Sequence, residues 1–144
     1  MKVDAHNLFS DAQAVTAAAA STNLIDLGVS LRNMGVGTPI YIVSQVDVAF
    51  TDSSSNSTLA VTLEQDTAAA FSSTTSIQTV GTFAALAAIG ARLVAAISID
   101  VITEQFVRLY YTPANGNLST GSVTSFLTDH VQAYTSYADG VTIS

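Results

Sequence analysis

An alternation of apolar and polar residues along positions 40–50 is the feature that most constrains the fold of this chain. The odd positions of this stretch include Gln45 and Asp47. The even positions are apolar with one exception: Ile40, Ile42, Ser44, Val46, Val48 and Phe50. Because successive side chains of a β-strand point to opposite faces of its sheet, the pattern predicts a long strand whose even positions are buried.

The same period of two recurs later in the chain. In residues 106–112, Val107, Leu109 and Tyr111 alternate with a second set of residues that includes Arg108. Arg108 is therefore expected on the face opposite the apolar one. Further strands are predicted over residues 59–64, 75–83, 92–99 and 121–129.

Small polar residues predict the connections between strands. The Ser-rich stretch 51–58 predicts a loop that joins the strands on either side of it into a hairpin. Residues 14–18 and 23–27 predict a first hairpin near the start of the chain. The dipeptide Asn115-Gly116 predicts a turn.

These segments predict an all-β protein of about seven or eight strands. The Ala-rich stretch 83–91 leaves a short helix open, because alanine favours helices. A sandwich, a jelly roll or a barrel is therefore expected. A chain of 144 residues suits one domain over residues 1–144. Residues 1–13 are interpreted as an N-terminal arm and residues 130–144 as a C-terminal arm.

Charged residues are scarce and mostly acidic, which argues against several classes of partner. The chain has 4 Lys and Arg against 11 Asp and Glu, a formal net charge of −7. Binding to nucleic acid and to acidic membrane surfaces depends on clustered basic residues, so we expect neither partner. The most apolar window, residues 83–99, contains Arg92, which disfavours a membrane span. Charges near the first residue disfavour a secretion signal, so a soluble protein is expected.

Catalytic and metal sites find little support in the residues. With no cysteine and two histidines, disulfides, thiolate metal sites and Cys nucleophiles are excluded. Asp129 and His130 are adjacent, but neighbours in a strand face opposite ways, which argues against a Ser-His-Asp triad. Glu64 and Asp66 could serve glycoside hydrolysis or calcium binding, although a solvated strand end is the simpler interpretation. We therefore predict no catalytic residue, metal or cofactor, and no enzyme.

Two groups of side chains allow both a binding and a packing interpretation. Arg108 either pairs with an acidic residue across a partner interface or lies in solvent over neighbouring tyrosines. Four tyrosines predict either a sugar-binding platform or the packing of core and interfaces: Tyr110, Tyr111, Tyr134 and Tyr137. Packing is favoured, since tyrosine pairs in strands more often serve it.

The weakly charged surface itself points to a permanent assembly. Charged residues make up only 10% of the chain. Obligate interfaces lose charge and gain apolar area, so such a surface is normal for a protein that functions inside an assembly. A structural or shell protein is therefore expected.

Several short motifs follow one another along most of the chain. Its opening carries LFSDAQAVT at residues 8–16 and STNLIDLG at residues 21–28. Four later motifs are GTPIY, AAAFS, GARL and VRLYY, at residues 37–41, 68–72, 90–93 and 107–111. In order and spacing these motifs resemble the Bbp16-like family of tailed-phage capsid proteins.

The resemblance implies a jelly-roll-type antiparallel β-sandwich that serves as a cement or decoration protein on the outer capsid surface of the virion. Such a protein is made in the host cytoplasm, forms a homo-oligomer (dimer or trimer) and bridges neighbouring major capsid proteins of the HK97 type. From position and chemistry, contact residues are predicted at Leu8, Phe9, Asp11, Gln13, Arg108, Tyr134 and Tyr137. The alternative is a carbohydrate- or receptor-binding β-sandwich module of a phage particle, which requires exposed aromatic residues over a polar groove.

Overall fold

Nine strands and one short 3-10 turn form the regular structure of the described part of the chain. The computed structural model describes residues 4–29, 39–97 and 101–131. The turn η1 spans Ala5–Asn7. The strands are β1 (Leu8–Ala14), β2 (Ala19–Ala20), β3 (Ile25–Asp26), β4 (Tyr41–Thr51), β5 (Thr58–Asp66), β6 (Thr75–Phe83), β7 (Arg92–Ala96), β8 (Phe106–Ala114) and β9 (Thr120–Thr128). No helix of the described residues is long and apolar enough to cross a membrane.

The strands form two antiparallel sheets that share one apolar core. One sheet has the order β1-β9-β4-β7, and the other has the order β2-β8-β5-β6 with β3 also paired to β8. When β2 and β3 are counted as one interrupted strand, the two sheets have four strands each and the first and last strands of the chain are neighbours. This is the arrangement of a jelly roll, so the predicted all-β fold is confirmed.

The strands from β4 to β9 lie where the alternation of residues predicted them. β6 covers the predicted residues 75–83, and β4 begins one residue after the predicted start. In β8, Val107, Leu109 and Tyr111 are buried and Arg108 points to the other face. The period of two therefore identified both the strands and, for most of them, the buried face.

The two predicted hairpins are wrong. β4 and β5 belong to different sheets, and the loop between them crosses from one sheet to the other. β2 and β3 both pair with β8 and not with each other. Turn residues indicate only that the chain reverses its direction. The strand after the reversal can join the same sheet or the opposite one, so the turn residues do not predict which strands pair.

The carboxylate of Asp52 closes the loop from β4 to β5. It accepts hydrogen bonds from the backbone N–H groups of Ser54, Ser55, Asn56 and Ser57. Hydrogen bonds from Ser57, and then from Ser54 and Ser55, lower the pKa of Asp52 to about 2. The run of small residues thus serves to wrap the backbone around one anion.

Residues 8–13, predicted as part of an N-terminal arm, instead form strand β1 of the four-stranded sheet. β1 pairs with β9 in antiparallel orientation, as the first and last strands of a jelly roll must. The signal for this strand was weak because two irregularities interrupt its pairing, and the apolar alternation is lost there. Residues 132–144 of the predicted C-terminal arm lie outside the described residues.

The Ala-rich stretch forms turns, not the short helix that was left open. Its residues run beside β4, where the Gly90 N–H donates to the Val46 carbonyl at 2.9 Å and the Phe50 N–H donates to the Ala87 carbonyl at 3.0 Å. Leu86 adopts a left-handed backbone with φ of 57°, which is unfavourable for a bulky residue. The segment therefore extends the edge of the four-stranded sheet beyond β7.

Val48 is the one apolar even position of residues 40–50 that does not face the core, and this part of the prediction is wrong. Its side chain is 50% exposed. β4 carries one extra residue relative to β9 between Val46 and Val48, and another between Val48 and Thr51. Each extra residue exchanges the two faces of the strand, so Val48 turns outward and Phe50 returns to the core.

A hydrogen-bonded group of four hydroxyls lies in the middle of the apolar core. The Tyr111 hydroxyl, from the five-stranded sheet, bonds to Ser10 at 2.7 Å and to Ser125 at 2.9 Å in the opposite sheet. Ser125 also bonds to Ser44 at 2.8 Å. Burial raises the pKa of Tyr111. The largest fully buried apolar side chains of the core include Phe9, Phe50, Ile42, Leu59, Leu63 and Leu109.

Candidate interaction surfaces

The predicted contact residues of β1 divide between the core and the surface. Phe9 is fully buried, Leu8 is half-buried and Asp11 is exposed. An irregularity in the pairing with β9 places Phe9 and Ser10 opposite the same residue, Ser125. Both side chains consequently point inward. Phe9 is thus a core residue, and Asp11 is the exposed member of this set.

Gln13 fastens β1 to the connection that leads into the other sheet. Its side-chain carbonyl accepts hydrogen bonds from the Ser10 hydroxyl at 2.7 Å and the Thr22 N–H at 2.8 Å. Its amide donates to the Ala20 carbonyl at 2.7 Å. The Asn23 N–H adds a bond to the Phe9 carbonyl. Hydrogen bonds within the chain therefore hold β1 to residues 20–23, which lead into the other sheet.

Arg108 lies on the outer face of the five-stranded sheet and has its partners within the chain. Its Nε is 3.0 Å from the Glu64 carboxylate on the neighbouring strand β5. Its guanidinium lies 4.1 Å from the centre of the Phe71 ring and 5.7 Å from that of Tyr110. Phe71 is only 9% exposed and stands outside the core. Arg108 therefore covers an aromatic ring and balances a carboxylate at the same time.

Asp66 holds the loop that carries Phe71. Its carboxylate accepts the N–H groups of Ala68 at 3.0 Å and Ser73 at 2.7 Å. These hydrogen bonds, that of Ala68 first, keep the pKa of Asp66 below its usual value. Asp66 is buried and Glu64 is ion-paired. The expectation of a solvated strand end is therefore wrong for this pair of carboxylates.

Asp129 and His130 do contact each other, contrary to expectation. Their side chains meet at 2.9 Å, with 64% and 83% of their surfaces exposed. They follow the end of β9 at Thr128, so the alternation of a strand no longer separates them. The hydrogen bond between them lowers the pKa of Asp129 and raises that of His130. The pair lies in solvent, where nothing shields a reaction from water.

The outer face of the four-stranded sheet carries apolar residues at its centre. Four paired residues form a row across all four strands, which we call the outer row: Leu8, Phe126, Val43 and Val94. Val43 and Phe126 stand next to the core residues Ile42 and Leu127 and point to the opposite face. They are nevertheless only 4% and 6% exposed.

Sequence reasoning missed the outer row, although a signal for it existed. Ile42-Val43 and Phe126-Leu127 are consecutive apolar pairs inside strands. Such pairs indicate strands that are buried on both faces. The alternation of residues 40–50 drew attention to the even positions only, so Val43 was not recognised.

A second group of exposed apolar side chains lies where residues 87–91 run beside β4, beyond the end of the edge strand β7. It consists of Val48, Leu86 and Ile89, which are 50%, 51% and 70% exposed; we call it the β4-edge patch. The hydrogen bonds of residues 87–91 to β4 keep this segment alongside Val48. No charged residue occurs in the sequence between Asp66 and Arg92. An exposed apolar surface of this kind is typical of a protein contact.

The predicted tyrosine platform does not form within the described residues. Tyr111 is fully buried in the core. Tyr110 is half-buried beside Arg108. Tyr134 and Tyr137 lie outside the described residues. Among the residues that the structure describes, no group of three or more His, Asp and Glu side chains could hold a metal ion.

Comparison with known protein families shows which family the chain belongs to. The Bbp16 family model matches residues 9–127. The chain belongs to the Bbp16 family. This is a family of bacteriophage proteins, so the resemblance inferred from the sequence motifs is confirmed. Comparison with curated proteins gives no match.

The Bbp16 match begins inside β1 and ends inside β9. It therefore includes seven of the nine strands completely, all but one residue each of β1 and β9, and the whole β4-edge patch. Three members of the outer row lie within it, namely Phe126, Val43 and Val94, whereas Leu8 lies one residue before it. Tyr134 and Tyr137 fall beyond its end. The family is thus defined on the jelly roll, and both apolar surfaces belong to that jelly roll.

Proposed function

We propose that this protein is a cement or decoration protein on the outer surface of a tailed-phage head. In this proposal it assembles as a homo-oligomer and bridges neighbouring major capsid proteins of the HK97 type, which stabilises the shell. The observation that carries the proposal is the membership of the jelly roll in the Bbp16 family of phage proteins. No catalytic role is included.

The β4-edge patch supplies a suitable contact. Leu86 and Ile89 lie on a turn-rich segment held against β4, and Val48 lies on β4 itself, so these side chains can enter a groove of a partner without rearrangement of the sheets. Full burial of a Leu, Ile or Val side chain contributes about 1.5–3 kcal/mol. A contact of this size is weak for one copy, but a symmetric shell repeats it many times.

The charge of the chain agrees with a position outside the shell. A net charge of −7 opposes contact with packaged DNA. A cement protein on the outer surface meets protein and not nucleic acid. The scarcity of charged residues also agrees with permanent contacts, since such interfaces contain few charges.

Co-sedimentation with HK97-type shells that lack the protein tests the proposal. We expect the wild-type protein to bind, and we expect Leu86→Ser and Ile89→Ser to reduce occupancy at least about tenfold, as the loss of one buried apolar side chain would. Leu24→Ser is the matched control, because Leu24 is 39% exposed and lies in the other half of the molecule, near β3. Failure of the wild-type protein to bind any such shell would overturn the proposed function.

Survival of binding in both patch variants would leave the cement function standing and remove the β4-edge patch as its contact. In that case Asp11, the exposed member of the predicted residues on β1, is the next candidate. Asp11→Ala is then compared with the exposed control Asp129→Ala.

A further inference from the structure

The turn that follows β8 carries a dipeptide whose chemistry the proposed function does not use. Asn115 and Gly116 come directly after Ala114, the last residue of β8. An asparagine side-chain amide can react with the backbone nitrogen of the next residue, and a side chain on that residue hinders the approach. Glycine has no side chain, so it leaves its nitrogen open. Each of the other asparagines of the chain is followed by a larger residue.

The structure leaves both reacting groups of this turn accessible. Asn115 and Gly116 are exposed, and Asn115 adopts a left-handed backbone with φ of 64°. Within the described residues, the Asn115 side chain makes one hydrogen bond, from its amide to the Asn56 carbonyl at 3.3 Å, which is slightly longer than usual. In the same part of the chain, no hydrogen bond engages the Gly116 N–H. The fold therefore holds neither group in a strong bond.

Two other asparagines near this turn provide a contrast. After Asn56, the Ser57 N–H donates to the Asp52 carboxylate, so the nitrogen that would attack is engaged. After Asn117, the side chain of Leu118 is buried in the core and adds bulk beside its own nitrogen. Both asparagines are exposed, so differences in reactivity would come from the residue that follows and not from access to water.

We propose that Asn115 is a site of spontaneous modification that converts to aspartate and isoaspartate in the folded protein. The Gly116 backbone nitrogen bonds to the side-chain carbonyl carbon of Asn115. The side-chain nitrogen leaves as ammonia and takes up the proton of the Gly116 N–H. Water then opens the resulting cyclic imide. Attack of water at one carbonyl gives aspartate, and attack at the other gives isoaspartate, in which the main chain runs through the former side chain.

Conversion adds a negative charge and removes a contact between two loops. A carboxylate has no N–H to donate, so the hydrogen bond from position 115 to the Asn56 carbonyl is lost. Isoaspartate also lengthens the main chain where it crosses from β8 of one sheet to β9 of the other. The modified form accumulates with the age of the molecule. This inference does not depend on the proposed cement function.

Peptide mapping by mass spectrometry tests the proposal during incubation of the full chain at mildly alkaline pH, where the attacking nitrogen gives up its proton more readily. Each conversion replaces an amide by an acid and adds about 1 Da. We expect Asn115 to convert at least about tenfold faster than Asn56 and Asn117, as a modest difference in barrier height gives. Equal rates at the three positions, or conversion of Asn115 only after unfolding in urea, would overturn the proposal.

Gly116→Ala isolates the effect of the open nitrogen. The nearest atom to the added methyl group is the Ser57 hydroxyl at 3.5 Å, an ordinary contact, although the φ of 116° at this position is unfavourable for alanine. The substitution should slow conversion of Asn115 at least about tenfold and leave Asn56 and Asn117 unchanged. An unchanged rate at Asn115 would contradict the proposal.

If Gly116→Ala does not fold, Asn115→Gln provides the test, because the longer glutamine side chain closes such a ring less readily. Anion exchange separates the converted protein, which carries one negative charge more than the net −7 of the chain. The more acidic species should be lost in Asn115→Gln. Its continued formation at the wild-type rate would assign the conversion to another residue and overturn the proposal.

The predicted loss of the contact between the loops has its own measurement. Asn115→Asp and Asn117→Asp add the same charge two residues apart, but only the first removes the hydrogen bond to the Asn56 carbonyl. The urea midpoint should therefore fall in Asn115→Asp and remain near that of the wild type in Asn117→Asp. Equal midpoints in the two variants would contradict this consequence of the modification.

Discussion

The two outer faces of the sandwich bury apolar side chains in different ways. On the five-stranded sheet, Phe71 lies under the guanidinium of Arg108, which is itself paired with Glu64. On the four-stranded sheet, Val43 and Phe126 are buried at the centre of the outer row. The first arrangement uses side chains of adjacent strands and a short loop. The second places two apolar side chains side by side on adjacent strands.

This difference shows that apolar side chains outside the core can be buried by different kinds of neighbour, so the cause of burial has to be identified for each of them. The cover of Phe71 is charged, so its strength depends on the salt concentration. Val43 and Phe126 are apolar neighbours on adjacent strands, so their contribution depends on the apolar area that they bury. The four predictions that follow separate these two mechanisms.

The largest effect is expected for Phe126→Ala. The substitution should lower the free energy of unfolding by about 3–5 kcal/mol, because it removes a buried aromatic ring. Urea denaturation of the variant and of the wild type measures the difference.

Phe71→Ala is the matched comparison, because Arg108 lies over Phe71. The cost of Phe71→Ala should be smaller when Arg108→Met is also present, whereas the cost of Phe126→Ala should be unchanged by Arg108→Met. An equal effect of Arg108→Met on both costs would contradict the distinction between the faces.

Arg108→Met should lower the free energy of unfolding by about 1–3 kcal/mol, since it uncovers Phe71 and leaves the Glu64 carboxylate without its partner. The double variant with Glu64→Gln should recover part of this loss. Thermal or urea unfolding measures the effect. Arg92→Met, at an exposed position of the other sheet, is the control and should cost less than Arg108→Met, because the contacts of an exposed charged side chain contribute little. A smaller effect at Arg108 than at Arg92 would count against the role of the ion pair.

Acid should weaken the five-stranded face through Asp66. Its native pKa lies below its usual value, so the unfolded chain takes up the proton first as the pH falls. The stability from Asp66 is therefore complete above the usual aspartate pKa and is lost as the pH drops through the native one. Urea midpoints of wild type and Asp66→Asn between pH 6 and pH 2 should converge with falling pH. Parallel curves would disagree with this assignment.

The smallest effect is expected for Leu86→Gly. Leu86 has a φ of 57°, a conformation that glycine adopts without strain. The substitution should leave the free energy of unfolding unchanged or raise it by up to about 1 kcal/mol. Loss of shell binding by a variant that is no less stable would separate contact from folding. A clear loss of stability would show instead that the Leu86 side chain packs against the fold.

The sequence predicted the strands better than it predicted their neighbours. A period of two is a local property, so β4 and β6 to β9 were found from their own residues. The pairing of β1 with β9 joins residues more than a hundred positions apart, and no local pattern records it. Residues 52–57 cross from one sheet to the other, but their sequence resembles that of a hairpin loop, because no local pattern records which sheet the next strand joins.

The candidate surfaces were harder to predict, because they depend on irregular geometry. Val48 was assigned to the core, and only the extra residues of β4 relative to β9 turn it outward. Gln13 and Arg108 were predicted as contact residues, but their partners within the chain, Thr22 and Glu64, follow from the fold. Composition predicted a contact-forming protein, which stays a prediction, and it did not indicate which face would make the contact.

The hydroxyl group of Tyr111 has a mechanical consequence. It is bonded to Ser10 and Ser125 of the opposite sheet in a space that excludes water. If one sheet slid along the other, these bonds would break together, and no solvent molecule would be at hand to replace them. The sandwich is therefore pinned against shear near its middle, and a force applied to it should open its edges before the two layers slip.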